Sequence, residues 1–159
     1  MPERDLQKFG HLVAPHVEPE ERVLDIASVQ SARASMGVML GLAGAAGQAI
    51  VDRAAVKAGT GNLAKTFPQR FPPASTKLLC VTDRRLLFLL VGPDRKRAEL
   101  VWQAPVSEVL RAERRPRLQI MARFQLHFGD GSSLALMTMR RRTIESLAAV
   151  LRGTHTAGS

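Results

Sequence analysis

The sequence predicts a mainly β (α+β) domain in which seven strands are followed by one closing helix. Three observations carry this expectation. From residue 76 onward, short apolar runs alternate with Gly, Pro and Asp turns, the signature of consecutive antiparallel strands. After the last run, Ile144, Leu147, Ala148 and Leu151 take the i, i+3, i+4, i+7 spacing of a helix that buries one face. Between the first strand and the rest lies a Gly/Ala-rich segment, residues 36–51, without a single charge.

Taken in order, residues 3–13 read as a short helix, with Leu6, Phe9 and Val13 on one face, ended by Pro15 and Pro19. Residues 22–30 alternate as the first strand. The second and third strands, 77–82 and 86–91, are separated by Asp83-Arg84, and the third closes at Gly92-Pro93-Asp94. Residues 98–103, with Trp102, form the fourth. Pro105 breaks pairing before a fifth at 108–113, and Pro116 separates that run from a sixth ending at Phe128. Gly129-Asp130-Gly131 is a hairpin turn, since glycine takes positive φ without strain, and 132–137 completes the set. Gly153 marks the expected end of the last helix, and 153–159 a disordered tail. The domain plan is therefore an N-terminal helix in 1–17, a β domain in 18–152, and an insertion at 31–75.

A chain of 159 residues with 45% apolar and 23% charged residues can bury one core without staples. The lone Cys80 excludes an internal disulfide and sits in an apolar run, as an inert buried thiol would. The charged start, Pro2-Glu3-Arg4-Asp5, carries no apolar signal region, which points to the cytoplasm. A net charge of +9 attracts polyanions, either nucleic acid or an acidic membrane face.

Four stretches resemble bacterial members of the pleckstrin-homology (PH) superfamily, including GRAM-like relatives. They are Glu20-Glu21-Arg22-Val23-Leu24, Val81-Thr82-Asp83-Arg84-Arg85-Leu86-Leu87-Phe88, Trp102 with Pro105-Val106-Ser107-Glu108-Val109, and Phe128-Gly129-Asp130-Gly131-Ser132. The resemblance implies a seven-stranded orthogonal sandwich or barrel capped by the C-terminal helix. It also implies a non-catalytic binding module. In phosphoinositide-binding relatives the first inter-strand loop carries a Lys/Arg pattern; here Ser28-Val29-Gln30-Ser31-Ala32-Arg33 holds Arg33 alone, so no ligand residues carry over.

The insertion falls in that same loop. As a helix, 36–51 would be roughly 24 Å long, short of a bilayer core of about 30 Å. Gly37, Gly41 and Gly44 would share one face, suited to close helix packing, with Met39, Leu42 and Ile50 facing a membrane or partner. Phe67 and Phe71, beside Lys65 and Arg70, are candidates for the same contact; the alternative is that both tuck against the sandwich. Arg95, Lys96 and Arg97, with Arg53 and Lys57, would add attraction to an anionic surface. Docking on the domain or a second copy, membrane attachment, and a mobile loop remain the three readings of this segment.

No chemistry announces itself. Gly41, Gly44 and Gly47 lack the Gly-Lys-Ser/Thr ending of a phosphate loop, and no His, Cys or acid spacing suggests a metal or a nucleophile. With aromatic residues at 4% and Tyr absent, stacking platforms for single-stranded nucleic acid are few. The expectation is a module without enzymatic activity or cofactor, cytoplasmic and peripheral at the inner membrane face. Its partner would be an anionic lipid or another protein, including a second copy as a homo-oligomer, rather than nucleic acid.

Overall fold

A computed structural model describes residues 2–31, 56–57, 63–68, 76–118 and 121–157, with backbone alone for 2–4, 31, 56–57, 116–118 and 155–157. Helix α1 (Pro2–Val13) precedes β1 (Val23–Ser31), a short β2 (Val56–Lys57), β3 (Thr76–Thr82), β4 (Arg85–Val91) and β5 (Ala98–Pro105). Then come β6 (Val109–Leu118), β7 (Met121–Phe128), β8 (Ser133–Thr138) and helix α2 (Arg141–Ala157). All pairings are antiparallel, in the order β5-β4-β3-β1-β8-β7-β6, with β2 beside β8. The seven long strands and the closing helix are the fold class the sequence predicted.

Two apolar clusters explain why the strands read as they do. Leu79, Val81, Leu86, Phe88, Trp102, Phe124, Leu126, Phe128, Leu134 and Leu136 meet Ile144, Leu147 and Leu151 of α2 in the main core. On the other face of β3 and β4, Leu78, Cys80, Leu87, Leu89 and Val91 meet Leu12 and Val13 of α1. These two strands are covered on both sides, so their sequences are continuous apolar runs. Strand β7 is covered on one side and alternates buried with half-buried residues along its length. The N-terminal helix is therefore one wall of a core, packed on the β domain.

Strand β1 bridges the two halves. Its residues Val23 to Val29 pair with β3, and Gln30 and Ser31 pair with Met137 and Leu136 of β8. Strand β2 then pairs Val56 with Leu134 and Lys57 with Ser133, in the same direction. The other edge of β8 is taken by β7. Hence β1 and β2 lie on one edge as a single interrupted strand line, with one residue's space, opposite Ala135, between Ser31 and Val56.

Two sequence expectations are corrected. Pro116 does not separate strands: β6 runs through it, because β6 is an edge strand and its register shifts between Arg115 and Leu118, where no ladder N–H is required. Gly153 does not end the last helix, and the expected tail contributes Thr154 and residues to Ala157 to α2. An added Cβ at Gly153 would meet nothing, and buried Leu151 holds the preceding turn, so the cost of an interior glycine, about 1 kcal/mol, is tolerated. Ser146 Oγ donates to the buried Asp25 carboxylate at 3.0 Å and ties α2 to β1; burial pushes that carboxyl up.

Candidate functional site

The connection between β4 and β5 is a turn built by its own sequence. Gly92 N donates to Arg97 O at 2.9 Å, Arg95 N to Gly92 O at 3.0 Å, and Lys96 N to the Asp94 carboxylate at 3.0 Å. The three cations that follow, Arg95, Lys96 and Arg97, are exposed. Arg95 has φ 57°, a left-handed conformation that costs a non-glycine residue about 1 kcal/mol. Because Val91 pairs with Thr76, and Lys77 with Val29, this turn stands where β3 begins and where β1 leaves its partner. The basic turn, the end of β1 and the start of β3 thus share one end of the sheet.

Between α1 and this end of the sheet runs an open groove of about 360 Å³, lined by Asp5, Lys8, Phe9, His11 and Leu12 of α1, with Ser28, Thr76, Val91 and Arg95. Lys8 and His11 lie three residues apart, on one side of the helix next to its apolar face. Sequence reasoning passed over both. Their helical spacing was legible, but nothing in the sequence says that a turn more than 80 residues away lies alongside.

Arg84 and Arg85 of the β3–β4 hairpin and Arg111, Arg114 and Arg115 of β6 face acidic partners. Arg85 forks onto the buried carboxylate of Glu21, with Nε donating to Oε1 at 3.0 Å and Nη2 to Oε2 at 2.5 Å, while Nη1 donates to Gln103. The Arg85 hydrogen bonds, reinforced by Thr82 Oγ1, hold the Glu21 carboxyl at about 2 against the opposing effect of burial. Arg84 faces Glu18 and Glu20, Arg111 and Arg115 face Glu113, and Arg114 faces Glu145. Glu113 also accepts from His127 at 2.7 Å, a bond that lowers its carboxyl. By contrast, Lys8, Arg95, Lys96 and Arg97 have no ion pair among the described residues, and neither do Arg140, Arg141 and Arg142.

One candidate contact residue is withdrawn. Phe67, a candidate for membrane or partner contact, takes the alternative the sequence also offered and tucks against the sandwich: it is 4% exposed and packs edge-on to Phe88 at 4.6 Å and to Trp102 at 5.3 Å. The chain is pinned there by the turn Leu63–Thr66: Leu63 N donates to Asp130 at 2.6 Å, Ala64 N to Ser132 Oγ at 3.1 Å, and Trp102 Nε1 to Thr66 Oγ1 at 2.8 Å. The returning limb of the insertion is thus part of the core. Gly37, Met39, Gly41, Leu42, Gly44, Ile50, Arg53 and Phe71 lie outside the described residues. Lys57 is placed by its backbone opposite Ser133.

Cys80 is buried, and desolvation pushes its thiol up to about 12, so it carries no thiolate at neutral pH. Among the described residues no group of His, Cys, Asp or Glu could hold a metal, and no helix is long and apolar enough to cross a membrane.

No family model matches the chain, and no curated protein does. Among solved structures, the pleckstrin homology (PH) domain of USP37 matches with a TM-score of 0.38 and 10% identity, over 65% of this chain and 91% of that one. The fold is that of seven long antiparallel strands closed by a C-terminal helix.

Proposed function

We propose that the chain is a non-catalytic PH-like binding module that attaches peripherally to an anionic membrane surface, in bacteria the inner face. The observation that carries this reading is the turn with Arg95, Lys96 and Arg97, exposed and without ion pairs among the described residues, at the end of the sheet where β1 closes and the insertion begins in sequence. A basic residue near an anionic surface contributes about 1 kcal/mol, so three give reversible attachment. Met39, Leu42, Ile50 and Phe71 would supply apolar contact beside them, with Arg53 and Lys57 adding charge. Phe67 drops out of this set, because the core holds it.

Vesicle sedimentation tests the proposal. Binding to phosphatidylcholine vesicles should require added phosphatidylserine, weaken with salt, and fall when residues 33–55 are removed. Absence of binding to acidic vesicles, or binding indifferent to that removal, rejects it. Gly37, Gly41 and Gly44 favour a second reading, in which this segment packs against another protein or a second copy. A concentration-dependent dimer in sedimentation velocity, lost with 33–55, would support that reading instead.

A further inference from the structure

We propose that Asp25 is a proton-controlled clasp on the closing helix: α2 is held to β1 most firmly when this carboxyl is neutral, and loosens when it ionises. The fold sets its position. The register of β1 on β3 shifts between Val23 and Asp25, so Leu24 is the extra residue of a bulge, a device that re-aims the side chain beside it. Beyond the bulge Asp25 shares one side of the strand with Ala27 and Val29, both in the main core that α2 closes. A carboxyl group thus stands in a row of apolar residues, 2% exposed, with the Ser146 hydroxyl of α2 donating to it at 3.0 Å.

Among the described residues Asp25 makes no ion pair. On α2, Glu145 faces Arg114, and Arg142, one turn before Ser146, makes no ion pair either. Asp5 of α1 disfavours the carboxylate, whereas the Ile26 N–H and the amino group at the start of the chain favour it. On β3, Cys80 is held neutral by burial and by the charges of Glu21 and Asp25. Burial is the largest influence on Asp25 and outweighs the Ser146 bond, so the carboxyl titrates above its ordinary 3.8. Glu21, the other buried acid among the described residues, shows the contrast: the Arg85 fork holds it at about 2. The two shift in opposite directions because one has a cation and the other only a hydroxyl.

An ionised carboxylate at this depth is relieved by water, and water reaches it when α2 lifts from β1. The neutral acid instead offers a donor to Ser146 Oγ, so the joint keeps its hydrogen bond in that form. Because the closed carboxyl titrates above 3.8 and a water-exposed one at 3.8, the closed helix binds the proton more tightly than the open one. The stabilisation is therefore complete below pH 3.8 and is lost as pH rises through the folded value. Across that window opening of α2 increases by up to about tenfold per pH unit, and above it opening is level.

Two NMR measurements on the full chain test the clasp: titration of the Asp25 Cγ, and hydrogen exchange of the α2 amides as protection factors, in which the intrinsic pH dependence cancels. The Cγ midpoint should lie above 3.8. Residues 144–151 should exchange faster than β3, and their protection should fall by up to about tenfold per pH unit until that midpoint is passed. Asp25→Asn, which imitates the neutral acid, should remove this pH dependence. Ser146→Ala takes away the donor to the carboxylate and should move the Cγ midpoint further up, which tests the same joint if the Asn variant does not fold. A midpoint at or below 3.8, α2 protection level across the midpoint, or a pH dependence that survives Asp25→Asn overturns the proposal. So does exchange of α2 and β3 together, since the opening would then be global.

Discussion

Strands β1 and β2 behave as one interrupted strand, which predicts that residues 33–55 can be excised without loss of the fold. Ser31 faces Leu136 and Val56 faces Leu134 on the same edge of β8, so a single residue completes the line. Retaining Ala32 as that residue joins Ser31-Ala32-Val56 in register, and Val56 keeps its own partner and side-chain parity. Closing a connection of 23 residues costs roughly 3 kcal/mol of chain entropy, which the shortened protein would no longer bear. The expected outcome is therefore a folded protein whose stability is unchanged or higher by up to about 3 kcal/mol. Urea unfolding followed through Trp102, which is 6% exposed in the main core, measures this directly. A loss of more than about 1 kcal/mol, with an unchanged denaturant slope, would refute the single-strand argument. It would mean that the excised stretch supplies packing the sandwich needs.

Three further outcomes follow from the core and the turn. Glu21→Gln should destabilise the protein by about 3 kcal/mol at neutral pH, the value of holding that carboxyl at about 2 rather than 4.5. Because the folded value is the depressed one, this stability is complete above pH 4.5 and is lost as pH falls toward 2; the gap between the two proteins should close in acid, and parallel pH profiles would contradict the Arg85 latch. Phe67→Ala should cost about 3–5 kcal/mol in urea unfolding, as a buried aromatic does, whereas a loss below about 1 kcal/mol would return Phe67 to the surface. Arg95→Gly should raise thermal stability by up to about 1 kcal/mol through relief of the left-handed φ; lower stability would show that the turn is unstrained.

The stretches that carried the PH resemblance prove to be structural joints. Glu21, at the entry to β1, meets Thr82 and Arg85 of the β3–β4 hairpin, and Arg22 exchanges backbone and carboxylate bonds with Asp83. Trp102 of β5 reaches Thr66, while Asp130 and Ser132 of the β7–β8 turn hold Leu63 and Ala64. Such joints need particular residues at particular offsets, so they were readable along the chain, and they fix the fold rather than a ligand. The apolar runs were readable for a related reason: two-sided burial of β3 and β4 removes polar alternation altogether. Pro116 and Gly153 misled because a local breaker rule assumes that every strand N–H pairs and every helix ends at glycine. An edge position and a buried Leu151 override those assumptions.

Function was less legible because it arises from juxtaposition. Arg95, Lys96 and Arg97 read as one basic cluster, yet only Arg95 turns toward α1. Arg84 and Arg85 read as another, yet glutamates occupy both. Net charge therefore overstates the surface available to a polyanion, and ion pairing identifies the cations left to act. That sorting removes the hairpin arginines, retains the β4–β5 turn together with Arg140, Arg141 and Arg142, and adds Lys8, which no local pattern distinguished from a solvated helix residue. The same logic divides the insertion. Its limb from Leu63 to Phe67 is bound by side chains that would lose partners without it, whereas β2 is held by backbone pairing in a line that one residue could complete. Substitutions in 63–67 should thus report on folding and excision of 33–55 on attachment, so the two roles of one insertion separate in experiment.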